Sequence, residues 1–184
     1  MSNLLPLDEI NNLKVFMETV GTENLDVETI TDDIFDILLI AYMSGIAEAN
    51  RQLGTDEGLV FSEFQEAIYK EIDGKTYIDR VKEHVKQKSI GEIVTVADTE
   101  AHRVFNTGSF NVAKKVADST NLMKTWETME DERVRETHDN LLGVKIPFDE
   151  RFHTTDGDSA RFPGDFETAE ENANCRCFIV YSKN

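Results

Sequence analysis

Apolar residues recur with a period near 3.6 over most of the first two-thirds of the chain. Ile30, Ile34, Leu38, Ala41, Tyr42, Gly45, Ile46, Ala49 and Leu53 fall on one face, which predicts a long amphipathic helix over 27–53 ended by Gly54. A shorter pattern over 4–20, from Leu4 onward, predicts a helix stopped at Gly21. Ser62 and Gln65 have the spacing of a capping box. They predict a helix carrying Phe64, Ala67, Ile68 and Ile72, closed by Gly74. Thr76 and Asp79 start a weaker pattern over 77–88 with Tyr77, Val81 and Val85 inward. Ser89 and Glu92 open the longest segment, where Ile93, Val94, Ala97, Ala101, Val104, Phe105, Val112 and Val116 keep helical spacing. Gly108 inside it marks a close packing point or a break, since Gly in a helix interior costs about 1 kcal/mol relative to Ala.

The grammar changes around 119–121. Residues 122–128 alternate in part and favour extended backbone, which predicts a strand. A short helix is expected from Glu130 or Asp131 through Leu141, ended by Gly143. A second strand follows over 144–148, with Pro147 placing it at a sheet edge. Residues 149–165 are rich in Gly, Asp, Ser and Thr and read as a loop, 166–172 hold one helical turn, and 177–181 form a final apolar strand. The fold class is therefore α+β. A helical region spans 1–120, and a small antiparallel β-sheet unit with one short helix occupies 121–184.

Charge narrows the partners. Asp and Glu number 36 against 19 Lys and Arg, a net charge of −17, and residues 1–50 hold ten acids and one base. Such a surface repels a phosphate backbone and gains nothing from counterion release, so direct DNA binding is not expected. It either serves solubility or complements a basic partner. No apolar run is long enough to span a bilayer, and no secretion signal opens the chain. Two cysteines two residues apart are not a disulfide framework and fit synthesis in a reducing cytoplasm.

Two clusters could carry chemistry. If the short helix begins at Asp131, then Asp131, Arg135 and His138 share a face at i, i+4 and i+7. They then form either a hydrogen-bonded set fixing the helix or a general acid–base site. In the second case His138 carries the proton and Arg133 or Arg135 clamps an anion. In Asn174-Cys175-Arg176-Cys177 an extended backbone would put both sulfurs on one side. Cys175 and Cys177 then serve as small buried hydrophobes, as ligands of a structural zinc with His138 or His153, or as a redox pair near the geometric limit of a disulfide. His84 and His102 lack a second ligand one turn away, and Trp126 reads as core. Phosphate-binding, dinucleotide and nucleophile-elbow motifs are absent, so the residues by themselves do not support an enzyme.

Taken together, Trp126-x-Thr128-x-x-Asp131-x-Arg133-x-Arg135-x-x-His138, then Gly143, Phe152 and Pro163-Gly164-Asp165, then Asn174-Cys175-Arg176-Cys177, resemble the C-terminal signature of the phage Mu F-like head morphogenesis family. Upstream, Thr99-Glu100, Asn106 and Gly108 are similar to that family's T-E-x-x-x-x-x-N-x-G helix. Asp98 stands where members commonly have Arg, and Glu136 where many have Pro. The resemblance implies a minor head protein of a tailed phage, made in the host cytoplasm and carried in the virion. It would touch the portal or major capsid protein and act in head assembly, DNA retention or ejection. It also implies a scaffold role for Trp126, Asp131, Arg133, Arg135, His138, Asn174 and Arg176. Some relatives append a toxin or ADP-ribosyltransferase module, for which the three residues after Tyr181 leave no room. The alternative is a small metal-dependent or nuclease-like domain centred on His138 and the cysteine pair. A third reading is a host-directed effector delivered with the DNA.

Overall fold

The computed structural model describes residues 7–117 and 121–183. The start of the first helix at Leu4 and the change of pattern at Ser119 lie outside them. Helix α1 (Leu7–Val20) ends at Gly21, which has φ 78°, and a 3-10 turn leads into α2 (Val27–Leu53). Asp26 caps α2 by accepting from the Thr29 amide at 2.8 Å, and left-handed Gly54 closes it, as its sequence predicts.

The Ser62–Gln65 box does not form. Helix α3 (Phe61–Ile68) starts two residues earlier, behind Val60 as N-cap, and Ser62 lies inside it. The chain leaves the helix at Tyr69, so Ile72 is buried through a β-bridge to Lys75 instead of on a helix face. The weaker signal is the complete one: Thr76 and Asp79 cap α4 (Tyr77–Lys86) reciprocally. Helix α5 (Ile90–Ala117) runs unbroken through Gly108.

Helices α2 and α5 make the central contact of the molecule, and glycine sets their distance. A Cβ on Gly108 would lie 2.4 Å from the Tyr42 carbonyl oxygen, and one on Gly45 only 2.0 Å from that of Phe105. Gly108 is thus a packing point and not a break. Gly45, read from sequence as one more position of the apolar face, is its counterpart.

Strands β1 (Leu122–Glu127), β2 (Lys145–Pro147) and β5 (Phe178–Lys183) form an antiparallel sheet in the order β2-β1-β5, with Pro147 on the edge strand. The stretch expected to be loop holds a small hairpin, β3 (Phe152–His153) with β4 (Ser159–Ala160). Short helices α6 (Glu136–Asp139) and α7 (Ala169–Asn172) follow β1 and β4 along the chain. One hydrophobic core runs from Ile10 to Tyr181, so the helices and the sheet share it. Beside it Lys124 is fully buried, donating to the carbonyls of Glu150 (2.6 Å) and Arg161 (2.9 Å) among the rings of Phe110, Phe148 and Phe152. Burial, with the charge of Arg161 behind it, lowers its ammonium pKa to about 8.

Candidate functional site

The expected Asp131–Arg135–His138 face is not formed. Helix α6 is a single turn that begins only at Glu136, leaving Asp131 in the preceding turn and Arg135 as an extended N-cap residue. Glu136 therefore occupies the first helical position, where Pro is equally at home. Asp131 instead receives a bidentate fork from Arg176 (2.9 and 2.5 Å), and Arg133 reaches the same carboxylate from an exposed position at 3.4 Å. The hydrogen bonds from Arg176 hold the Asp131 carboxyl far below the usual carboxylate range, against the opposing effect of desolvation. Arg135 donates to the carbonyls of Glu170 and Ala173, pinning the C-terminal end of α7.

His138 turns inward. Its ring stacks on Phe166 with centroids 5.3 Å apart and meets the Trp126 ring edge-on at 5.4 Å. Nδ1 lies 3.5 Å from the Cys175 sulfur and 3.7 Å from the Cys177 sulfur. On the other side of the ring, Nε2 lies 2.8 Å from a carboxylate oxygen of Glu171, off the line of an aligned hydrogen bond. The same oxygen accepts from Thr137 at 3.3 Å and sits 3.5 Å from Arg135.

The sulfurs converge by a route the sequence did not suggest. Both cysteines precede β5, so strand alternation does not align them. Asn174 adopts φ 54°, a left-handed conformation that Asn tolerates, and the Cys175 amide donates back to the Asn172 carbonyl at 3.1 Å. This turn aims both sulfurs at His138. Hydrogen bonds from Cys177 and then from His138 draw the Cys175 thiol well below the usual thiol range, while Cys175 itself and burial push Cys177 far up. The buried Trp126 indole N–H makes no hydrogen bond of ordinary geometry among the described residues, but it faces Cys177 closely enough to oppose that rise. His153 is exposed on β3, away from the cluster. His102 is an ordinary helix residue bonded to the Asp98 carbonyl, and His84 is bonded to Gln87.

Helix α5 holds this unit through one face. Thr99, Arg103 and Asn106 stand at i, i+4 and i+7. The Thr99 hydroxyl accepts from the Asn174 amide at 3.0 Å, and the Asn106 side chain donates to the Cys177 carbonyl at 3.0 Å. Gly164, at φ 89°, rests on Arg103, where a Cβ would come within 2.8 Å of the arginine side chain. Glu100, fully buried, accepts from Arg103 (2.9 and 2.6 Å) and from Arg80 (2.6 Å).

Asp165, next to that glycine, accepts from Arg161 at 2.8 and 2.9 Å and from Lys70 at 3.0 Å. Burial alone would raise its pKa, but Arg161 and Lys70 together lower it from 3.8 to about 2. A depressed folded-state pKa gives stability that is complete above the unfolded value near 4 and disappears as pH falls toward 2. We expect Asp165→Asn to lose on the order of 2 kcal/mol at neutral pH and to flatten the acid limb of a urea-midpoint-versus-pH curve. An unchanged acid limb would show that Asp165 is not a stabilising carboxylate.

A long helix that clamps a Cys-x-Cys loop against a three-stranded antiparallel sheet, with an aromatic-walled histidine between them, defines a helix-buttressed α+β module. The chain belongs to the Phage Mu protein F like family, whose model matches residues 60–180. It is 35% identical over 95 residues to the minor head protein GP7 of Bacillus phage SPP1, covering 52% of this chain and 31% of that protein. It is also 34% identical over 113 residues to the NAD(+)–arginine ADP-ribosyltransferase EFV of Enterococcus faecalis (strain ATCC 700802 / V583), covering 59% of this chain and 23% of that protein. The chain thus spans about a third or less of either relative's length. No solved structure matches it.

Proposed function

We propose that the protein is a minor head protein of a tailed phage, present in the virion and acting in head assembly, DNA retention or ejection near the portal. Membership in the Phage Mu protein F like family, with a minor head protein among its relatives, is the observation that carries this reading. The role is structural and not catalytic. His138, Cys175 and Cys177 are all buried, and the space beside them is a cavity of about 10 Å³, room for one water and not for a substrate. Asp131 is held by Arg176, Arg133 reaches the same carboxylate, and Arg135 donates to backbone carbonyls, so they do not converge on His138 as a nuclease centre would require.

The contact with the head runs through the groove between α1 and α2. Leu13, Phe16, Ile37 and Ile40 line it together with Glu9, Asp33 and Asp36. Phe16 and Ile40 are about 40% exposed, large apolar side chains with acidic neighbours. Partial burial and the charges of Asp36 and Asp32 raise the Asp33 pKa, a repulsion that a cationic partner would relieve. The occupant is a basic, amphipathic segment of the portal or major capsid protein. Asp33→Lys with Asp36→Lys should leave the fold intact and reduce incorporation into purified heads at least tenfold. Normal incorporation of the double variant would remove this groove from the interface, and absence of the wild-type protein from purified particles would overturn the head assignment itself.

A further inference from the structure

We propose that His138 Nδ1 and the sulfurs of Cys175 and Cys177 bind one zinc ion, with Glu171 orienting the histidine from behind and the fourth position taken by water. The three ligand atoms lie within 4.8 Å of one another, and each comes from a buried residue. Tetrahedral zinc, with Zn–S about 2.3 Å and Zn–N about 2.0–2.1 Å, sets N and S about 3.6 Å apart. The Nδ1–Sγ separations of 3.5 and 3.7 Å bracket that edge, and the two sulfurs lie within 4.8 Å of each other, so the three atoms are spaced to take the ion.

The rest of the site is built the same way. Metal-bound histidines present one ring nitrogen to the ion and the other to a carboxylate, which fixes the ring and raises its basicity. Glu171 stands on that side of the ring, 2.8 Å from Nε2 and off the line of the N–H, so that a small turn of the carboxylate completes the bond; it is itself braced by Thr137 and Arg135. The small cavity is lined by Arg133, Arg135, Asn174 and Arg176 as well as by the three ligands, and its roughly 10 Å³ accommodates a single water in the fourth position. The Trp126 indole N–H beside Cys177, which makes no hydrogen bond of ordinary geometry among the described residues, fits the same account, since a metal-bound Cys177 thiolate is an acceptor where a thiol is a poor one. The ion would fasten α6 to the loop before β5. This inference does not depend on where in the phage particle the protein sits.

The full chain, purified without chelator, is expected to contain one equivalent of zinc by elemental analysis. Exchange with cobalt should produce the strong visible absorption of tetrahedral cobalt–thiolate coordination. Glu171→Gln should keep the ion but weaken zinc affinity about 10–100-fold in a chelator competition. Cys175→Ser with Cys177→Ser should lose the ion and the cobalt spectrum. A folded wild-type protein that takes up neither metal would overturn the proposal, as would cobalt bound without thiolate absorption. If the serine variant does not fold, the wild-type cobalt spectrum decides alone. Intact-mass measurement of native protein showing a Cys175–Cys177 disulfide would also overturn it.

Discussion

Glu100→Gln is expected to destabilise the protein by about 3–5 kcal/mol, the cost of removing one partner from a buried ion set. Glu100 is fully buried between two guanidiniums, Arg103 from its own helix and Arg80 from α4, with short bonds to both. Arg103 is itself buried, and Gly164 closes over it, so it has no route to water once its counter-charge is gone. The glutamine amide keeps the shape but leaves two cations facing a neutral group in a low-dielectric setting. The urea midpoint should fall sharply with an unchanged m-value. Replacing Arg80, Glu100 and Arg103 together by Met should recover much of the loss, because well-packed apolar groups often substitute for a buried ion set without penalty. A loss under about 1 kcal/mol in the single variant would mean that the arginines find other partners, and the network would then not be a keystone of the α4–α5 contact.

This network shows which parts of the protein were legible in its sequence. The Thr99-Glu100…Asn106-x-Gly108 pattern was visible as a family resemblance, but a pattern of spacing does not say what each residue touches. In the fold, Thr99 and Asn106 hold the cysteine loop, Glu100 gathers the arginines, and Gly108 sets a helix crossing. Long amphipathic helices such as α2 and α5 were readable because each buries one continuous face, and that face is written into the apolar period. The short elements failed for the opposite reason. Helix α6 is one turn, too short for periodicity, and its start is set by tertiary bonds: Asp131 is taken by Arg176, 45 residues away, and Arg135 by the end of α7. The β3–β4 hairpin has only two residues per strand, below what alternation can reveal. At the site, His138, Cys175 and Cys177 were singled out by residue type and the structure brings them together. Glu171 was missed, one acid among 36 with no pattern to mark it. The available signal was its place three residues before the Asn174-Cys175 turn. Asn174 could likewise have been read as a left-handed residue, which would have replaced the strand argument for the two sulfurs.

Gly45→Ala and Gly108→Ala should each destabilise the protein by about 3 kcal/mol or more, at the upper end of overpacking costs. The usual escape from an added methyl is a rotamer change in a neighbouring side chain. Here the added Cβ meets backbone carbonyl oxygens, Phe105 at 2.0 Å from Gly45 and Tyr42 at 2.4 Å from Gly108, and a carbonyl inside a helix cannot rotate away without breaking its own ladder. Relief requires α2 and α5 to separate by about 1 Å along their central contact, which opens the core at Tyr42, Phe105 and Ala41 and forfeits dispersion contacts on both sides. Helix propensity pulls the other way, favouring Ala over Gly by up to about 1 kcal/mol, so the net loss understates the steric penalty. Gly91, in the first turn of α5, has no atom within 4 Å of where a Cβ would sit, and so isolates that propensity term: Gly91→Ala should be neutral or slightly stabilising. Thermal unfolding of the three variants separates the effects, because opposite shifts at Gly91 and at the crossing glycines require a steric cause. If Gly45→Ala and Gly108→Ala instead melted at the wild-type temperature, the two helices would not pack at the distance their backbones hold. The docking face of α5 would then lose its fixed position beneath the Asn174–Cys177 loop, since that loop's bonds to Thr99 and Asn106 depend on where α5 lies.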